Sequence, residues 1–179
     1  MKLSDDAEAR YRKQDYTSKR PSIDGVELVE LRRFSDDAGS MTELGRLVDG
    51  RLRELKGFQV AQVSYSTLAP GAIKAFHVHH AQTDVWYVPP EDRILLVLVD
   101  VRKGSPTEGN RLRTMLGDGR SLLVRIPPGV AHGCRNLGTA SGRVVYFTDL
   151  HFSPEPDKTD EGRLPWDYLG PEVWDPARE

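Results

Sequence analysis

The residues that could do chemistry are concentrated in Gly71-Ala-Ile-Lys-Ala-Phe-His77-Val-His79-His80-Ala-Gln-Thr-Asp84. All five histidines fall between His77 and His151, and the first 76 residues hold none. If this stretch is a strand, its period of two puts His77 and His79 on one face and His80 on the other. Two imidazoles then point at one place, with Asp84 following shortly after. Such a group can exchange protons near neutral pH or ligate a transition metal.

A second segment, Pro127-x-Gly129-x2-His132-x3-Asn136, lies well downstream of Gly71-x5-His77-x-His79-x4-Asp84. The pair resembles the two motifs of the cupin superfamily, with Asp84 where a glutamate is usual and without the glycine expected after it. On that resemblance His77, His79, Asp84 and His132 form a metal set. Imidazoles plus a carboxylate suit Fe(II), Mn(II), Ni(II) or Zn(II) and leave positions open for water or substrate. The same residues are also explained if His79 and His80 are ordinary strand or turn polar groups and Asp84 caps a turn. Spacing alone leaves metal and no metal equally open.

Short apolar runs must position these groups. Ile73–His79, Asp84–Val88, Arg93–Val101, Arg111–Met115, Ser121–Ile126 and Arg143–Phe152 are separated by turns rich in glycine and proline, such as Pro127-Pro-Gly129. Many short strands with such turns describe an all-β sandwich or barrel. Upstream, Ile23–Phe34 alternates as one half-buried strand, and Phe58–Leu68 alternates without a uniformly apolar face, so one face is expected to line a polar cavity. Met41–Leu55 is ambiguous, because Leu44, Leu47, Val48, Leu52 and Leu55 have helical spacing while Gly45 and Gly50 oppose a helix. The expected organisation is a charged tail or helix over residues 1–20, with Ser4 as N-cap, a barrel over 21–152, and an extension over 153–179. That extension reads as irregular, with Trp166 and Trp174 docking on the barrel or on another subunit.

Composition narrows the function classes. A net charge of −2 and a pI near 6.2 argue against a nucleic-acid surface. The longest apolar run, Ile94–Val99, is far too short to cross a bilayer, and no signal-peptide core is evident, so a soluble cytoplasmic protein is expected. One cysteine, Cys134, can form neither an internal disulfide nor a zinc ribbon. It is expected to be a small buried hydrophobe rather than a nucleophile.

A longer resemblance spans about residues 23 to 175. Gln62–His77, Val99-Asp-Val-Arg-Lys-Gly-Ser-Pro-Thr-Glu-Gly109, Ile126-Pro-Pro-Gly-Val-Ala-His-Gly133 and Leu164-Pro-Trp-Asp-Tyr-Leu-Gly-Pro-Glu-Val-Trp174 resemble, in order, four segments of the dTDP-4-dehydrorhamnose 3,5-epimerases. The resemblance implies a cupin-type barrel, or jelly roll, with short helical or irregular terminal segments. It also implies a homodimer and catalysis without a cofactor on a nucleotide sugar. In that chemistry a histidine removes a proton beside the C4 ketone of a dTDP-4-keto-6-deoxyhexose, and a tyrosine returns one on the opposite face. His77 matches the base and Tyr146 the acid; Gln62, His132 and Glu43 match substrate or nucleotide contacts, and Lys74 replaces a phosphate-binding arginine.

Several departures accompany these matches. Asp84 occupies the place of the family's active-site lysine, Ala38 that of a nucleotide-binding arginine, and Phe152 that of a second tyrosine. The aspartate that orients the base would lie beyond Glu179. The departures keep two rivals in view: a metal-dependent cupin enzyme, using a divalent transition metal on His77, His79, Asp84 and His132, and a non-catalytic sugar-binding cupin. Arg102 and Lys103 could neutralise a diphosphate, although a solvated turn explains them equally well.

Overall fold

The computed structural model describes residues 2–13 and 21–176. Ser4 caps helix α1 (Asp5–Arg10), accepting the Ala7 N–H at 3.4 Å, as its position predicts. Asp5, Asp6 and Glu8 in the first turn complement the positive end of the helix dipole.

Beyond it come β1 (Glu27–Glu30), β2 (Arg33–Asp36), β3 (Gly39–Thr42), β4 (Leu47–Val48), β5 (Arg51–Leu52), β6 (Gln62–Leu68) and β7 (Ile73–His79). They are followed by β8 (Asp84–Tyr87), β9 (Arg93–Asp100), β10 (Arg111–Gly117), β11 (Leu122–Ile126), β12 (Val130–Asn136), β13 (Gly142–Thr148) and β14 (Glu161–Arg163). Two antiparallel five-stranded sheets result, in the orders β1-β11-β8-β13-β6 and β10-β9-β12-β7-β14. From β6 to β13 the chain passes repeatedly from one sheet to the other, the path of a jelly-roll cupin barrel.

Period-two geometry sorts the apolar residues among three clusters. In β9, Ile94, Leu96 and Leu98 face the barrel interior, where they meet Trp86, Leu116, Val124 and Val144. Leu95, Val97 and Val99 face outward with Phe76 and Ala131 and are covered by Leu169 and Trp174. That double burial explains the continuous run Ile94–Val99. The other sheet's outer face is closed by Leu52, Leu55 and Phe58 against Val85, Tyr87 and Leu123.

Three elements differ from the sequence expectation. Met41–Leu55 contains a hairpin of β4 and β5 and no helix, because Asp49 and Gly50 adopt φ of 50° and 76°, the left-handed pair of a type I′ turn. Ile23–Phe34 is interrupted at Leu31-Arg32, so β1 joins the large sheet while β2 pairs with β3. The extension contributes β14 to the second sheet, where it pairs with β7. Of its tryptophans, Trp174 is fully buried with its ring 5.1 Å from Phe76, and its indole N–H donates to the Trp166 carbonyl at 2.8 Å. The Trp166 side chain itself is exposed. Among the described residues no helix is long and apolar enough to cross a membrane.

Candidate active site

A cavity of about 180 Å³ lies between the sheets, and alternation decides which side chains reach it. On β6, Gln62, Ser66 and Leu68 line it while Val63 and Tyr65 face solvent, so the mixed pattern of this strand does mark a polar wall. Tyr146 and Thr148 enter from β13, Asp84 and Trp86 from β8, and His132 and Cys134 from β12.

On β7, His77 and His79 share the inward face, as the period requires, yet Lys74 lines the same cavity from an odd spacing. A bulge reconciles the two: His132 lies opposite His77 and Cys134 opposite Lys74, so β7 spends three residue steps where β12 spends two. The inserted residue reverses the alternation upstream and turns the Lys74 side chain inward.

The edge strand β14 supplies a carboxylate to His77. Glu161 Oε1 lies 3.0 Å from His77 Nδ1, and Arg163 donates to the same oxygen at 2.9 Å. Burial alone would raise Glu161, but hydrogen bonding to Arg163 and the His77 ring outweigh it, and its carboxyl is lowered overall. Burial, followed by the charge of nearby His132, pushes His77 down to about 4 against the pull of Glu161. A neutral His77 that donates Nδ1–H to Glu161 keeps the Nε2 lone pair free.

His79, Asp84 and His132 form a separate cluster, all three buried, with one ligand atom from each lying within 4.8 Å of the others. His79 Nε2 is 3.9 Å from Asp84 Oδ1, and His132 Nε2 is 3.4 Å from Asp84 Oδ2. Burial would raise Asp84, but His132, His79 and the Trp86 N–H at 3.1 Å outweigh it and bring the carboxyl down to about 2. Gln82 Nε2 donates to the other oxygen at 2.7 Å. Of the four residues expected from the cupin motifs, His79, Asp84 and His132 bring one atom each within 4.8 Å of the others, while His77 turns Nδ1 to Glu161.

Gln62, Lys74, His77, His132 and Tyr146 all line the one cavity. Gln62 Oε1 accepts the N–H of Phe152, which also lines it. Glu43 does not line the cavity; it lies between β3 and β4, paired with Arg46 at 2.7 Å and Arg53 at 3.5 Å. Arg102 is engaged by buried Asp100 at 2.8 Å, which accounts for that turn without a diphosphate. Burial pushes the Cys134 thiol up to about 12, so it stays protonated.

Sequence reasoning missed the Asp160-Glu161 pair. Asp160 accepts the backbone N–H groups of His80, Ala81 and Gln82 at 3.2, 2.9 and 2.7 Å, fixing the turn from β7 to β8. Its own carbonyl lies 3.2 Å from His79 Nδ1. Two adjacent acids in a segment without alternation carry no local signature of either role.

The fold and the site together define a cupin-type barrel with a histidine-carboxylate pair and a tyrosine entering one cavity from facing sheets. The profile describing the family dTDP-4-dehydrorhamnose 3,5-epimerase matches residues 20–167, and the chain belongs to that family. It is 42% identical over 145 residues to the spore coat polysaccharide biosynthesis protein SpsL of Bacillus subtilis, covering 81% of this chain and 91% of SpsL. A probable low-salt glycan biosynthesis epimerase, Agl13 of Haloferax volcanii, is 28% identical, with 82% and 90% covered. Among solved structures, a dTDP sugar isomerase from Desulfovibrio desulfuricans superposes with a TM-score of 0.73 at 27% identity, covering 85% of this chain and 91% of that one. A double mutant of ChmJ, a 3′-monoepimerase from Streptomyces bikiniensis in complex with dTDP, gives 0.70 at 25% identity, with 85% and 74% covered. The protein is a sugar-nucleotide epimerase by family.

Proposed function

We propose that the cavity epimerises a dTDP-linked 4-keto-6-deoxyhexose by proton transfer, with His77 as base and Tyr146 as acid. The observation that carries this reading is the His77–Glu161 pair at 3.0 Å on one sheet, with Tyr146 entering the same cavity from the other. The C–H bond beside the C4 ketone breaks, its proton goes to His77 Nε2, and its electron pair moves onto the ketone oxygen. Glu161 stabilises the imidazolium that forms. Tyr146 then delivers its phenolic proton to the same carbon from the opposite face, which inverts the centre, and solvent resets both groups. No electrons are gained or lost overall, so the step needs no redox cofactor.

Gln62 and His132 are suited to hydrogen-bond the sugar, and Lys74 to hold a phosphate. Lysine offers the charge there without the bidentate fork of an arginine. Glu43, which the resemblance matches to a substrate or nucleotide contact, is held by Arg46 and Arg53 outside this cavity. A homodimer fits the exposed Val63 and Tyr65 on β6, which is an edge strand of its sheet. A cytoplasmic location fits a chain with one free, buried cysteine.

Solvent deuterium separates the two roles. With a dTDP-4-keto-6-deoxyglucose substrate, His77→Asn is expected to lower deuterium incorporation by at least about a hundredfold. Tyr146→Phe should retain exchange and lose inversion, because His77 can return deuterium to the face it deprotonates. Undiminished exchange in His77→Asn would sink the assignment.

A further inference from the structure

The buried trio His79, Asp84 and His132 turns three ligand-type atoms toward one space, with Gln82 Nε2 3.4 Å from His79 Nε2. Each histidine aims Nδ1 at a backbone carbonyl, His79 at Asp160 at 3.2 Å and His132 at Val130 at 3.1 Å. Those nitrogens therefore donate, which leaves Nε2 as the atom each ring can offer to a metal when that nitrogen is deprotonated. Asp84 presents carboxylate oxygens to the same space, at 3.9 Å from His79 Nε2 and 3.4 Å from His132 Nε2. Three potential ligand atoms, on residues 7%, 4% and 1% exposed, thus converge on one place.

The spacing suits one ion. Ligand atoms at about 2.0–2.2 Å from a common metal lie about 3–4.4 Å apart; the two carboxylate-imidazole separations, one to each Asp84 oxygen, fall within that interval, and one atom from each of the three residues lies within 4.8 Å of the others. The surroundings are those of metal ligands as well. Both imidazoles are oriented by backbone carbonyls through the nitrogen that would not ligate, and the carboxylate is steadied by Gln82 and by the Trp86 indole N–H.

We infer that His79, Asp84 and His132 bind a divalent transition metal as a two-histidine, one-carboxylate site, leaving His77 outside it. The nitrogen and oxygen donors suit Zn(II), Fe(II), Mn(II) or Ni(II) and leave coordination positions open toward the cavity. His77, with Nδ1 on Glu161, remains available as a base. In the epimerase resemblance Asp84 stands in the place of a lysine, so a bound cation would restore positive charge where enolate charge develops. That catalytic use rests on the proposed epimerase reaction; the binding site does not.

The test uses the full chain, purified without a histidine tag or chelator, stripped and then titrated with Co(II) as a visible spectroscopic probe. Wild type and His77→Asn should each bind close to one equivalent with ligand-field absorption. His79→Gln and Asp84→Asn, shown to be folded by circular dichroism, should lose affinity by at least about a hundredfold. Metal content by elemental analysis should follow the same order. Co(II) uptake no greater in wild type than in a folded Asp84→Asn variant would overturn the inference, as would loss of the site in His77→Asn. Deuterium exchange on the dTDP-keto sugar is followed in parallel. Exchange without metal uptake defeats the metal site and leaves the epimerase standing, whereas uptake without exchange does the reverse.

Discussion

Replacing Glu161 by glutamine tests the residue that sequence reasoning missed. The Glu161 carboxylate lies 3.0 Å from His77 Nδ1, with the two side chains 29% and 20% exposed. Solvent screening at such a pair is intermediate, between about 1 kcal/mol in water and about 4 kcal/mol at an effective dielectric constant near 20 for charges about 4 Å apart. A charge-assisted hydrogen bond typically contributes about 1.5–3 kcal/mol. Taking about 2 kcal/mol as the part lost when the carboxylate becomes a neutral amide, kcat for deuterium exchange should fall about thirtyfold.

Two further readouts separate an orienting role from simple disruption. Glutamine cannot offset the burial and the His132 charge that depress His77, so the acidic limb of the rate profile should move to lower pH. Nitrogen NMR of the imidazole at neutral pH should show the Nδ1–H tautomer in wild type and a mixture in Glu161→Gln. Exchange within twofold of wild type, with the same tautomer and the same acidic limb, would refute the assignment of Glu161 as the group that positions the base.

The pH dependence of stability has a sign set by His77. Its ordinary value is 6.5 and burial lowers it to about 4, so the unfolded chain takes up the proton first as pH falls. The contribution is complete above about pH 6.5 and is lost as pH falls toward about 4, up to about 3 kcal/mol in all. Urea titrations between these limits should show that loss, and His77→Asn should flatten it. Trp174→Ala should destabilise the fold by about 3–5 kcal/mol, since its indole is fully buried against Phe76; a change below about 1 kcal/mol in chemical denaturation would contradict the docking of the C-terminal segment as part of the core.

What the sequence made legible was what alternation and turn chemistry encode locally. The paired orientation of His77 and His79 and the polar inner face of β6 both follow from a period of two. The helical spacing in Met41–Leu55 misleads because five apolar residues satisfy two periods at once, and Asp49-Gly50 decides for the hairpin through its positive φ values. Lys74 shows a different limit. Strict alternation from His77 would turn it away from the cavity, and only the pairing of β7 with β12 reveals the bulge that turns it inward. Glu161 is 84 residues from His77, and only sheet pairing makes them neighbours.

On the proposed metal site, Asp84 in the place that the resemblance gives to a lysine changes the source of positive charge and does not damage an epimerase site. A lone buried carboxylate facing a developing enolate would oppose the reaction, and desolvation would raise it toward neutrality. Here it is held ionised, at about 2, chiefly by His132 together with His79 and Trp86. Those contacts join Asp84, which on the resemblance stands in the place of a lysine, to His79, the added histidine two residues after His77, and to His132. Two departures that support one another across β7, β8 and β12 cost less than either alone: Asp84 without His79 loses one of its two imidazole neighbours, and His79 without Asp84 aims a buried Nε2 at no charged partner. The double-mutant cycle follows from that coupling. His79→Gln and Asp84→Asn combined should cost less stability than the sum of the two single changes, by about 0.5–3 kcal/mol in urea titrations, and strict additivity would show that the two residues do not act as a unit.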